Sequence, residues 1–499
     1  MTEQRHVPAS GPDAAAAAAV PRSAWDVGLL EPLGAGSRAA ELTSDAAWLQ
    51  AMVDVELALT RALIDARLVP EWMNEVCDRV ADAASLDLAA IAAEGRGGGN
   101  PVIPLVKHLG AAAESVRPGS SDHIHVGATS QDILDTATML IASRVTAEVH
   151  TQLGALAGAL AGLADSHRTT VMAGRTLGQQ ASPTSFGLLA AGWLDAVLSA
   201  GKRLDAVRAV LPAQLGGAVG NLAVLTGVAG ARRADTASNT VVNDVLAGFA
   251  ARLGLIEPAL SWHTDRLIIS ELASALAGAT GVVGAFALDV TVLSRTEIGE
   301  VGEQLGKGEG GSSAMPHKRN PVTAVLVTAA ARRAPGLVAT LYGSMLAEDQ
   351  RPSGAWHAEW QALRELERLS LSAVTGAASL ADRLVVDDDR MRANLDTTDG
   401  LIFSERVTTI LAEALGKTAA FELVTRASSE SVGTSRPLQV VLAGALASEG
   451  ASEDLRRQIW AAFDYSGDLG QADAGIDRVL EKYRAHHARS EETESGTPS

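Results

Sequence analysis

The chain has 499 residues, of which 47% are hydrophobic but only 3% aromatic, so alanine, leucine and valine must do the packing and the composition leans to helix. A formal net charge of −18 without any long Lys/Arg run argues against general nucleic-acid or anionic-membrane binding, while leaving room for a local basic pocket. The single cysteine, Cys77, rules out an internal disulfide and reads as a small buried hydrophobe in a reducing cytoplasm.

Residues 1–22 carry the alanine run Ala14–Ala19 with no basic segment before it, and read as a disordered leader rather than a signal peptide. From about Asp45 to Leu68 the apolar residues Leu49, Met52, Val53, Leu57 and Ile64 share one helical face, with Ser44 or Asp45 as cap. Shorter helices follow up to a glycine-rich break at Gly95–Pro101. Four long helical segments come next, at Ile133–Ser166, Ser185–Val210, Asp235–Leu253 and Thr264–Leu305. None has the period-2 alternation of a strand. Several are apolar almost all round, and a helix of that kind has to be covered on every side, which points to a bundle built from several chains. Leu272–Leu288 and Val149–Ala164 imitate membrane spans, but both are short and rich in small residues and read as buried helices. From about Val385 to Tyr483 the helices shorten again around SRP and SGDLG turns, and the polar tail reads as disordered. The expected divisions are 1–22, 23–129, 130–382, 383–484 and 485–499.

Three stretches carry chemistry. The first runs KGEGGSSAMPHKRNPV from Lys307 to Val322. Gly308, Gly310 and Gly311 allow the loop to move and its N–H groups to approach a ligand. Asn320–Pro321 suits the start of a helix, so Lys318, Arg319 and that helix end would converge on carboxylates. Taken alone, the stretch is equally an ordinary Gly/Ser linker. The second is HIHVGATSQDILDTA, His123–Ala137, where Thr129 and Asp132 form a capping pattern and Thr129, Ser130 and Gln131 offer donors at a helix start. It too could be a well-capped helix and no more. His123 and His125 have H-x-H spacing, but no acidic or cysteine cluster completes a metal site. The third is GRTLGQQASPTSFGLLAAGWLDA, Gly174–Ala196.

The first stretch matches the pattern GSSxMPxKxNP of the fumarase/aspartase superfamily at every fixed position, and the second is similar to its HxGxTSxD element. The resemblance spans roughly Leu29 to Tyr483. It implies an all-α fold of three helical domains, with the long central helices of four subunits forming one bundle. It also implies that Ser312 exchanges a proton with the carbon α to a carboxylate, in a basic pocket that lowers its proton affinity. Lys318 and Asn320 would hold that carboxylate and its aci form. Ser313, Met315 and Arg319 would line the same site, with His125, Thr129, Ser130, Gln131, Gln179 and Arg266 contributing from elsewhere. The role of His125 stays open between proton donor, carboxylate ligand and orienting group.

One departure is informative. Elimination members of the superfamily often read GxTHxQ in the third stretch, with the histidine as general acid, and here that position is Leu177. Ammonia, amines and hydroxide leave poorly without a proton. A carboxylate, whose acid has a pKa of about 4, leaves without help. This fits the cycloisomerase branch, which GGNPVIPLVKHL (Gly98–Leu109), AQLGGAVGNLA (Ala213–Ala223), SWHTDR (Ser261–Arg266) and GAWHAEW (Gly354–Trp360) also resemble. The branch often has aspartate after the arginine, where this chain has Leu267. The implied reaction is reversible lactonisation of 3-carboxy-cis,cis-muconate in protocatechuate catabolism, by a cytoplasmic homotetramer acting on a small tricarboxylate, with no cofactor, metal, nucleic acid or membrane. An adenylosuccinate lyase and a non-catalytic structural tetramer are the alternatives.

Overall fold

A computed structural model describes residues 27–306, 308–311, 315, 317–465 and 469–495, with side chains to residue 488. The leader expected at 1–22 lies outside the described residues. Five helices open the described chain: α1 (Arg38–Leu42), α2 (Asp45–Asp65), α3 (Met73–Arg79), α4 (Leu88–Gly98) and α5 (Val102–Val116). Ser44 caps α2 by accepting from the Ala47 amide, and Arg67, at φ 58°, turns the chain away just past its end. Buried Cys77 lies in α3, where burial pushes its thiol up to about 11.

The centre consists of α6 (Ser130–Ser166), α7 (Phe186–Arg208), α8 (Ala223–Arg232), α9 (Ser238–Leu253), α10 (Leu267–Leu293), α11 (Val322–Gly343) and α12 (Ala355–Asp382). Helices α6, α7, α10, α11 and α12 pack side by side. Small residues let them approach: a Cβ on Gly284 of α10 would lie 2.2 Å from the Ala331 Cβ of α11. Both α10 and α11 are long and apolar enough to cross a membrane by length and composition. In this chain α10 is a core helix, with Leu272, Leu276, Val283 and Val290 fully buried. α11 buries Val327, Ala334 and Leu341 but leaves Val325 and Tyr342 outside.

The chain ends in α13 (Asp388–Asp396), α14 (Ser404–Leu415), α15 (Lys417–Thr434), α16 (Leu438–Ser448), α17 (Glu453–Ala461) and α18 (Ala472–Ser495). A small core, including Leu395, Phe403, Leu411 and Leu442, joins these helices and takes in Val171 and Ala173. α18 returns to the main core through Ile476 and Leu480. It also carries the backbone helically to Ser495, where a disordered tail was expected from 485, because the Glu/Arg/Ala-rich sequence has good helix propensity.

Strands, absent from the sequence expectation, occur in two small sheets. β1 (Val171–Thr176) and β2 (Gln179–Ser185) form an antiparallel hairpin. Its two turn residues, Leu177 and Gly178, both have positive φ, 51° and 81°, as the twist of a tight hairpin demands. β3 (Val301–Glu303) pairs with β4 (Leu384–Val386) and ends the segment expected to be helical to Leu305. These strands are too short and too exposed for burial to write an alternating pattern.

α6, α10 and α12 all begin at the same end of the bundle, fastened there by one arginine. Arg266, at the start of α10, donates to both Asp135 oxygens at 2.8 and 3.1 Å and to Glu359 of α12 at 2.6 to 3.1 Å. Trp356 Nε1 donates to the same Asp135 at 2.9 Å. Arg266 is only 2% exposed. The expectation that it contacts substrate is corrected: its guanidinium is turned inward, because two buried carboxylates demand it. Removing one partner of a buried pair leaves the other charge uncompensated, so Arg266→Met is expected to cost about 3–5 kcal/mol in denaturant unfolding.

Glu367 of α12 is fully buried, and neither of its oxygens has a partner among the described residues. Burial pushes its carboxyl up to about 8, against about 4.3 in an unfolded chain. The folded state therefore keeps a proton that the unfolded chain releases. The contribution is fully present below a pH of about 4.3 and is lost as pH rises through about 8. Glu367→Gln should raise the unfolding temperature more at pH 8 than at pH 5, the difference growing by roughly 1 kcal/mol per pH unit.

Candidate active site

The HIHVGATSQD stretch lies at the end of the bundle that Arg266 fastens. Thr129 and Asp132 form the expected capping box of α6. Asp132 has no capacity left for a ligand: it accepts from Thr129 N, Gly216 N and Gly217 N, each at 2.9 Å, from Gln214 Nε2 at 3.3 Å, and pairs with His263 Nε2 at 2.7 Å. The contacts hold the AQLGGAVGNLA and SWHTDR segments against α6. Gly216 must be glycine there, since a Cβ would lie 2.5 Å from Ser261 Oγ. Gln131 is also buried, its amide donating to Asp135 at 3.1 Å and to the His263 carbonyl at 2.8 Å. It was expected at the substrate, and instead it ties α6 to the 261–266 loop.

What remains open at this end is His125, Thr129, Ser130 and Arg351. His125 has φ 60°, and its Nδ1 lies 2.7 Å from Oε1 of Glu56 in α2. Burial disfavours charge on the ring, but the Glu56 hydrogen bond and the charges of Glu56 and Asp132 outweigh it and raise the His125 pKa. Arg351, in the loop before α12, donates to Thr129 Oγ1 at 2.9 Å. His123 turns elsewhere, packing edge-on against Trp72 at 5.4 Å. No group of three metal-ligating side chains occurs among the described residues.

The glycine-rich loop and the hairpin tip lie at the other end. α10 has 27 residues, so these motifs stand about 40 Å from His125 at 1.5 Å per residue. Ser312 and Ser313 lie outside the described residues. Met315, Lys318 and Arg319 are exposed. Asn320 closes the loop base, its amide and its Nδ2 both donating to the Gly310 carbonyl at 3.0 and 3.1 Å. The expectation that Asn320 caps α11 is corrected. Glu303 does so, accepting from Ala324 N at 2.9 Å and Thr323 N at 3.3 Å. That helix end already has its anion. The hairpin is anchored by Arg175, which forks onto Glu300 at 2.6 and 2.9 Å. Its tip, with Leu177 and Gln179, is exposed.

One chain thus brings His125, Thr129 and Ser130 together and keeps them far from Gln179, Lys318, Arg319 and Asn320. Glu56 and Arg351 were missed. Glu56 has a partial signal, an acid flanked by Val55 and Leu57 in α2, though Asp54 beside it dilutes that signal. Arg351 precedes the GAWHAEW segment with nothing in the sequence to mark it.

A family model described as lyase matches residues 36–336. A nitrosuccinate lyase of Streptomyces davaonensis is 44% identical over 91% of this chain and 94% of its own length. A 3-carboxy-cis,cis-muconate cycloisomerase of Pseudomonas aeruginosa is 40% identical over 89% of this chain and 93% of its own. The crystal structure of the 3-carboxy-cis,cis-muconate lactonizing enzyme of Pseudomonas putida superposes with a TM-score of 0.83 at 35% identity, covering 92% of this chain and 99% of that one. With its helical bundle and its motifs at the helix ends, this chain belongs to the lyase family of the fumarase/aspartase superfamily.

Proposed function

We propose that the protein is a 3-carboxy-cis,cis-muconate cycloisomerase. The observation that carries this reading is the superposition on a 3-carboxy-cis,cis-muconate lactonizing enzyme along nearly the whole chain, and Leu177, a hydrocarbon at the exposed hairpin tip, counts against eliminations that expel ammonia, amines or hydroxide. The lactonizing enzyme and cycloisomerase relatives, similar along nearly the whole chain, support it. In the lactone-forming direction a substrate carboxylate oxygen bonds to one end of the conjugated double bond. The π pair moves to the carbon α to a neighbouring carboxylate, giving an aci-anion, and Ser312 delivers a proton to that carbon and regains one from water, so the carboxylate substrate takes up one proton overall. Lys318, Asn320 and the donors at the start of α6 stabilise the anion. Ser313, Met315, Arg319 and Gln179 line the pocket. Counted as free acids, the atoms balance as an isomerisation with no redox step, so the reaction calls for no cofactor or metal.

The separation of about 40 Å along α10 supports active sites assembled from several chains of a homotetramer. The apolar residues that α11 leaves outside support its burial in such a bundle. The division at 23–129, 130–382 and 383–484 and a cytoplasmic location belong to the same proposal.

The 44% identity to a nitrosuccinate lyase favours a second reading, loss of nitrite from nitrosuccinate to leave fumarate. Leu177 does not separate the two, because nitrite, like a carboxylate, departs as a stable anion. Ultraviolet absorbance of 3-carboxy-cis,cis-muconate separates them, with nitrite release from nitrosuccinate and turnover of adenylosuccinate followed in parallel. Loss of the diene signal, slowed about 10²- to 10⁴-fold in Ser312→Ala, is the expected result. Nitrite release without diene loss would replace the cycloisomerase by the second reading, and turnover of adenylosuccinate would remove both.

A further inference from the structure

We infer that Glu56 is a positioning residue that keeps His125 as an imidazolium and aims its Nε2–H at a carboxylate of the substrate. This deepens the proposed function, on which the identity of that carboxylate rests.

Glu56 sits on α2, which packs against α6 and α9, among residues that are almost all buried and apolar. Its own exposure is 0%. Oε1 meets His125 Nδ1 at 2.7 Å, and Oε2 has no partner among the described residues. An ionised carboxylate in such a place is costly unless a cation faces it. The arginines at this end are turned to other partners. Arg266 is divided between Asp135 and Glu359, and Arg351 donates to the Thr129 hydroxyl. His125 is therefore the group that can give Glu56 its counter-charge. Asp132, in the first turn of α6, adds a second negative field in the same direction.

The geometry then fixes which ring nitrogen faces the ligand. Nδ1–H points inward to Glu56, and the ring, with 21% of the side chain exposed, turns Nε2 outward. The left-handed φ of 60° is uncommon for a histidine, and the capped α6 start and the Glu56 contact hold it there. A neutral ring would offer Nε2 as an acceptor and repel a carboxylate, whereas the imidazolium offers a donor and a charge. Of the three roles open to His125, the pair with Glu56 selects that of carboxylate ligand.

The first measurement needs no substrate. In full-length protein labelled with ¹³C-histidine, the imidazole signal missing from His125→Gln identifies His125 by NMR. It should titrate above the ordinary value of about 6.5 in the wild type, and about one unit or more lower in Glu56→Gln. The second is kinetic: Glu56→Gln should raise KM for the muconate about tenfold at pH 8 and far less at pH 6. The alkaline limb of kcat/KM should move down with the NMR value. A merely structural role for Glu56 would reduce activity alike at every pH and leave the limb in place. If Glu56→Gln does not fold, Glu56→Asp, which cannot keep the 2.7 Å contact without movement, takes its place with a smaller shift expected. A wild-type His125 that titrates at or below the ordinary value, or one that Glu56→Gln leaves unmoved, overturns the proposal. Absence of muconate turnover with the NMR shifts as expected would instead remove the proposed substrate and leave the pair standing.

Discussion

The two aspartates one helical turn apart at the start of α6 are what the rest of this architecture is arranged around. Asp132 gathers the backbone amides of two loops and the ring of His263, and Asp135 draws in Arg266 and the Trp356 indole. An ionised carboxylate buried in a helical bundle must be met by donors, and the donors here come from segments far apart in the chain, 214–217, 263–266 and Trp356. The requirement pins α10, α12 and the 213–223 and 261–266 segments to one helix end. Once that end is rigid, the few groups left unsaturated around His125 are held at fixed distances, which is the condition for recognising a charged ligand. Hydrophobic burial alone would not provide it, since alanine and leucine faces can slide past one another at little cost.

The sequence made the long helices legible, because α6, α7, α9 and α10 are continuous segments of helix-forming residues with few interruptions. Ser44 and the Thr129–Asp132 box were also readable, being local chemistry. What escaped was set by partners distant along the chain. Arg266 looks in sequence like any basic residue near a motif, and only the convergence of Asp135 and Glu359, 131 and 93 residues away, turns it inward. Asn320–Pro321 has the form of a helix start, but a carboxylate from β3 reaches the free amides first. The hairpin was missed because two short strands at the surface leave no hydrophobic alternation, though the small turn Leu177–Gly178 is what separates them. Glu56 was hidden because Asp54, two residues earlier, is an acid of the same kind that pairs with Arg144, and only the fold shows that Glu56 alone of the two is fully buried.

The division of the motifs between two ends of the bundle explains why each half looks incomplete by itself. The His125 end has donors fixed by the contacts of Asp132 and Asp135. The other end has glycines, exposed cations and the hairpin tip, but its helix terminus is already occupied by Glu303. In the proposed homotetramer the two kinds of end, taken from different chains, would meet.

The hairpin tip has a further consequence. Leu177 touches no core, and its backbone sits in a region that a branched hydrocarbon side chain occupies at some local cost. Asparagine or glycine would be easier on the chain. The position is thus uncoupled from folding, so its side chain can be exchanged with little effect on the bundle beneath, and in the proposed function it stands where the leaving group's chemistry is decided. A lineage with this fold can try a new acid, or dispense with one, by single substitutions at a place where stability does not object. Diversity of reaction on one helical scaffold then needs no remodelling of that scaffold.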